Sequence, residues 1–220
     1  MASNIATIAS YSIRSKKLSH WEPLIEEWIL SIERYSRLTN GDAPYLYNER
    51  ANVGVLAGAA WRCGRIALEE FQSEKSDESL NEQTGKVAYT ERKGRCDLWI
   101  CDEQSDEEVI EAKFKWVNML SSKKGDLAEI CLRDAVGNAR TTRGREKIRS
   151  IGTAFLPVYA NSKKIKDTKV LETKIADTIQ MAQGLKADLV AWCFPKRLRE
   201  YVGEEFGNYL PGVILLAKEA

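Results

Sequence analysis

Residues 94–101 read Gly-Arg-Cys-Asp-Leu-Trp-Ile-Cys and residues 108–116 read Glu-Val-Ile-Glu-Ala-Lys-Phe-Lys-Trp, with an acidic break from Asp102 to Glu107 between them. Two apolar runs of strand length around a break rich in Asp, Gln and Ser predict a β-hairpin. Side chains alternate faces along a strand. Ile110, Ala112, Phe114 and Trp116 therefore share one face, and Glu111 and Lys113 share the other. On the first strand, Cys96, Leu98 and Ile100 oppose Asp97 and Trp99. Two carboxylates and an ammonium can thus converge on one side of a hairpin whose backing is hydrophobic.

Asp97, thirteen intervening residues, then Glu111-Ala112-Lys113 resembles the PD-(D/E)XK nuclease superfamily. Arg95-Cys96 precedes the first acid, where that family often carries Pro. The resemblance implies an α/β fold with a restriction-endonuclease-like αβββαβ core. Its central mixed sheet would be flanked by helices, with an additional N-terminal helix. It also implies a metal-dependent nuclease hydrolysing phosphodiester bonds of DNA, with RNA open as a substrate. Asp97 and Glu111 would bind Mg²⁺, or Mn²⁺ in its place, with the Ala112 carbonyl as a further ligand. Lys113 would position or activate the attacking water.

Composition narrows the alternatives. Among 220 residues, 33 are basic and 32 acidic, so the chain is not a polycation, although local basic patches remain open. Residues 1–44 read as an N-terminal helical appendage and residues 45–220 as the nuclease-like domain. There is no run of eighteen apolar residues and no secretory leader at the start, so a cytoplasmic protein without a membrane span is expected. The five cysteines lack Cys-x-x-Cys spacing, which predicts reduced, mostly buried thiols rather than a zinc site. His20 is the one histidine, and this argues against histidine-based hydrolases and metal centres. Phosphate-binding glycine loops are also absent, which disfavours a nucleotide hydrolase.

Along the chain, Ser19 is a candidate cap for a helix to Leu38 carrying Trp21, Leu24, Ile25, Trp28, Ile29, Ile32 and Tyr35 on one stripe. That aromatic face could dock within the monomer, on a second copy or on a protein partner. Asn48 to Cys63 predicts a buried helix in which Gly54 and Gly58 permit close approach to a sheet. Glu49 stands on its apolar face with Val53, Leu56 and Ala60, and is the candidate third acid. Pairing with Arg50 or Arg62 is the structural alternative for it; Glu69 and Glu70, on an expected strand from Arg65 to Phe71, are the rival acids. Gln72 to Lys86 reads as an exposed loop. Asp126 to Ile151 reads as one long helix whose Arg133, Arg140, Arg143 and Lys147 could track a phosphate backbone. Further strands are expected at Gly152–Tyr159, where Pro157 suggests an edge or bulge, at Ala187–Phe194 and at Gly212–Ala217. A helix from Thr168 to Gln183 lies between them.

Overall fold

A computed structural model describes residues 7–81, 86–104, 106–143, 148–203 and 207–220; of the side chains, those at 76–81, 86–92 and 143 are not described. The order is β1 (Ile8–Ile13), α1 (Glu22–Leu38), α2 (Glu49–Arg62), β2 (Ile66–Asn81), β3 (Lys86–Cys101), β4 (Glu107–Phe114), β5 (Val117–Asn118), α3 (Lys124–Thr141), β6 (Thr142–Arg143), β7 (Arg149–Asn161), α4 (Thr168–Gly184), β8 (Leu189–Phe194), β9 (Val202–Gly203) and β10 (Asn208–Glu219). The fold is α/β. Its strands form a single sheet in the order β1-β8-β10-β7-β4-β3-β2-β6, with β5 beside β7 and β9 beside β10. The sheet is mixed, because β4 runs parallel to β7 while β2, β3 and β4 pair antiparallel. One hydrophobic cluster lies between the sheet and helices α1 and α2, and a second between the sheet and helices α3 and α4.

Local signals place the elements that matter for the site. Asn48 caps α2 by accepting from Ala51 N, and Gly64 ends the turn after it with φ +85°, a conformation that favours glycine. β2 follows at once. Gly152 of β7 marks a close approach: a Cβ there would lie 2.4 Å from Val136 N, so the backbone of α3 rests directly on the strand. Gly58 has no such role, since nothing stands within 4 Å of the corresponding position. The nearest group to a Cβ at Gly54 is the Glu69 carboxylate, at 3.4 Å.

Several expectations are corrected. The Gln72–Lys86 loop is mostly strand, because β2 and β3 run on as a ribbon paired out to Asn81 and Lys86. From Gln72 to Lys86 the sequence is polar at nearly every position, Leu80 excepted, so the alternation that betrays a strand is missing. The long helix ends at Thr141. Two successive β-branched residues, Thr141 and Thr142, favour extended backbone, and Thr142 and Arg143 pair with Lys75 and Glu74 of β2. Pro157 sits in a central strand, not at an edge. It falls where the neighbouring chain is interrupted, between the partners Phe114↔Phe155 and Val117↔Val158. Ser19 does not cap α1: Ser15 caps a preceding 3-10 turn from Lys16 to Trp21 that leads into it.

The N-terminal segment is built into the sheet, not appended to it. β1 pairs along its length with β8, and Trp21, Leu24, Ile25, Trp28 and Ile32 are buried in the first cluster. Most of the aromatic stripe is thereby covered within the monomer, with Ile29 and Tyr35 partly exposed. Among the described residues, no helix is long and apolar enough to cross a membrane.

Candidate functional site

The β3–β4 ladder runs from Cys101↔Glu107 to Leu98↔Ile110. At the next position the strands part, and Asp97 closes the gap by its side chain: Ala112 N donates to Asp97 Oδ2 at 2.6 Å. The carboxylate is fixed at the point where two strands diverge. Glu111 is buried beside it, 2 % exposed, with Thr142 Oγ1 donating to its Oε1 at 2.6 Å and Lys75 Nζ at 2.9 Å from the same oxygen. Lys113 Nζ donates to the Ala112 carbonyl oxygen at 2.9 Å.

Glu49 enters from the first turn of α2. Burial pushes its carboxyl above the ordinary range, and the nearby charges of Asp97 and Glu111 push the same way. The Lys113 ammonium and the Phe114 backbone N–H pull against them. Glu49, Asp97, Glu111 and Lys113 therefore share one electrostatic neighbourhood, contributed by α2, β3 and β4. Of the partners that could have made Glu49 a plain surface acid, Arg62 pairs with Glu27 at 2.6 Å, and Arg50 pairs with Glu70 at 3.6 Å on the wall of the same cleft.

A cleft of about 260 Å³ opens here, lined by Glu49, Arg50, Val53, Glu69, Glu70 and Asp97. Glu70, with φ 52°, is held between Arg50 and Arg95, each 3.6 Å away. Glu69 and Glu70 thus reach the same cleft as Glu49, at its outer part. Cys96, next to Asp97, has its thiol pushed up to about 12 by burial and by the Glu111 and Asp97 charges, so it stays protonated and unreactive at neutral pH.

The donor set suits a hard divalent cation by its chemistry. It offers oxygen atoms only, and three carboxylates face two ammonium groups, Lys75 and Lys113. Among the described residues, however, no three His, Cys, Asp or Glu side chains stand in metal-ligating geometry. Ammonium groups hold the oxygens concerned: Lys113 is on Ala112 O and Lys75 on Glu111.

Of the basic residues expected to follow a phosphate backbone, Arg133 and Arg140 are on α3 and exposed. Arg143 lies in β6 with an undescribed side chain, and Lys147 lies outside the described residues. Sequence reasoning missed Lys75 and Thr142. Lys75 sat in an expected loop and Thr142 inside an expected helix, so neither had a signal pointing to Glu111. It also missed a second buried carboxylate, Glu108, 1 % exposed. His20 Nε2 lies 2.5 Å from Glu108 Oε1, Trp21 Nε1 donates to Oε2 at 2.8 Å, and Arg65 and Arg149 approach to 3.6 and 3.3 Å.

No protein-family model, curated protein or solved structure matches the chain.

Proposed function

We propose that the protein is a divalent-metal-dependent deoxyribonuclease built on a restriction-endonuclease-like core. One observation carries the reading: Glu49 of α2, Asp97 of β3, and Glu111 and Lys113 of β4 meet at the point where β3 and β4 part. The order α2, β2-β3-β4, α3, β7, with β4 parallel to β7, supports the αβββαβ core that the Asp97…Glu111-x-Lys113 resemblance implies.

Asp97, Glu111 and the Ala112 carbonyl are the groups to hold Mg²⁺ or Mn²⁺, with Glu49 as a further acid. The ion, when bound, neutralises phosphate charge and acidifies a coordinated water. Thr142 fixes the Glu111 carboxylate, and the Ala112 N–H fixes that of Asp97, so both are oriented before any ligand arrives. Lys113 is the group to position the attacking water and to balance charge developing on the phosphate. In the reaction, the water oxygen bonds to phosphorus as one P–O ester bond breaks, and the water proton ends on the departing oxygen.

The test incubates the protein with supercoiled, linear and single-stranded DNA, and with RNA, in Mg²⁺, Mn²⁺ or EDTA, beside Asp97→Ala and Lys113→Ala. Metal-dependent cutting of DNA that falls about a hundredfold or more in both variants is the expected result. Cutting that survives either substitution overturns the assignment. A second reading, a nucleic-acid-binding module without chemistry, is favoured by the ammonium groups that hold Ala112 O and Glu111. It requires DNA binding that persists in EDTA and no cleavage with either metal.

A further inference from the structure

We propose that a groove on the flank of α3 turned away from the carboxylates is a second nucleic-acid contact, a phosphate-backbone site. It rests on the reading that the ligand is nucleic acid, but not on catalysis. Arg133 and Arg140 of α3, Lys186 in the turn after α4 and Lys218 of β10 line an open groove of about 670 Å³. Four cations face one carboxylate, Glu129. Arg133 has only Asp134 nearby, at 3.8 Å between highly exposed side chains. No carboxylate of the described residues stands within ion-pair distance of Arg140, Lys186 or Lys218. The cations are therefore open to an anion from outside.

The groove is separate from the candidate active site. At 3.6 residues per turn, Arg133 and Arg140 project about 180° around α3 from Cys131. Burial raises the Cys131 thiol, and the Glu49 and Asp134 charges raise it further against Lys113 and Lys115, so its flank of the helix faces the side of Glu49 and Lys113. α3 is thus a partition, with Glu49 and Lys113 beyond one flank and Arg133 and Arg140 along the other. Its close seat on β7, through Gly152, brings the opposite flank down to Lys218, which is paired with that glycine in β10. Arg14 Nη1 donates to Leu185 O at 2.9 Å and holds the turn that presents Lys186. Arg133 and Arg140 are seven residues apart, about 10 Å along the helix, which matches roughly three phosphate intervals of a duplex strand. Cations spaced along a line suit a repeating polyanion better than a compact one.

The experiment measures binding of a labelled duplex and a labelled single strand by the full chain at several salt concentrations, in an Asp97→Ala background. Arg133→Gln/Arg140→Gln and Lys186→Gln/Lys218→Gln are compared with Lys163→Gln/Lys164→Gln, exposed lysines outside the groove, and folding of each is checked by its melting curve. The groove pairs are expected to weaken binding about tenfold or more. The slope of log affinity against log salt should become shallower by about 0.7–0.9 for each phosphate no longer neutralised, while the control pair changes neither. Parent-like binding by both groove pairs, or an equal loss in the control, overturns the proposal. So does loss of polyglutamate binding with nucleic-acid binding intact, which would make the groove an acidic-peptide site. A chain that never cuts but shows the shallower slope loses the nuclease reading and keeps the groove. A chain that cuts with unchanged slopes does the reverse.

Discussion

Glu108 and Glu111 stand three residues apart on the same strand, on opposite faces, and are 1 % and 2 % exposed, yet their surroundings differ. Glu108 is surrounded by donors from three regions: His20 and Trp21 before α1, Arg65 before β2, and Arg149 at the start of β7. Each oxygen has a hydrogen-bond partner, His20 at Oε1 and Trp21 at Oε2, and two guanidinium groups stand close by. Glu111 has Lys75 and Thr142, but Asp97 and Glu49 press on the same space, so negative charge outnumbers positive. A buried charge is tolerable when it is paired and hydrogen-bonded, and costly otherwise. The first carboxylate is a tie between elements. The second is one of three carboxylates facing two ammonium groups, and such uncompensated clusters mark function more often than stability.

The largest expected effect comes from breaking the tie. Glu108→Ala leaves Arg65, with a side chain only 10 % exposed, beside a void. A loss of about 3–5 kcal/mol is expected, read from the midpoint of urea or thermal unfolding. A change below about 1 kcal/mol would place the network among surface pairs of little worth. Gly152→Ala comes next, because its new methyl meets the α3 backbone at 2.4 Å and the helix has to lift. A cost of about 1–3 kcal/mol follows from overpacking. Cleavage should fall further than stability alone explains, since lifting α3 takes Thr142 from Glu111. Unchanged stability would mean that α3 does not rest on β7 as described. Asp97→Ala is expected to cost less than either in stability while removing most cutting, because it relieves carboxylate repulsion as it deletes the Ala112 hydrogen bond.

How much of this was legible in the sequence follows from what each residue packs against. The hairpin could be read because one face of β3 and β4 is covered and the alternation is therefore written in Cys96, Leu98, Ile100, Ile110 and Ala112. Asn48 and Gly64 bounded α2 by local chemistry, and that put Glu49 in place. Lys75 lies in a polar stretch of sequence that shows no apolar period, so it was invisible as a neighbour of Glu111. Arg133 and Arg140 were rightly placed on one face of a helix. Nothing local, however, said that this face looks away from the acids, since that depends on α3 lying across β7 through Gly152. His20 could be counted but not located. Its partner Glu108 comes from a strand 88 residues later, and a pairing of that range leaves no periodic trace.

The smallest expected effect tests the acidic side from the opposite direction. Burial raises the Glu49 carboxyl above its unfolded value, about 4.3 for a free Glu. Between that value and the raised one, the folded chain holds a proton that the unfolded chain has released, so stability falls as pH rises through the interval. Below the unfolded value both states are protonated, and the penalty is absent. Glu49→Gln mimics the protonated form at every pH. It should therefore melt slightly above the parent at pH ~7–8, with the difference closing as pH falls to about 4. Should the parent instead be the more stable at neutral pH, with its lead vanishing on acidification, the Lys113 ammonium and the Phe114 N–H outweigh burial. Glu49 would then be a partnered acid like Glu108. The sign of that difference decides whether the negative charge beside Asp97 and Glu111 is in surplus, and on that surplus the case for a cation rests.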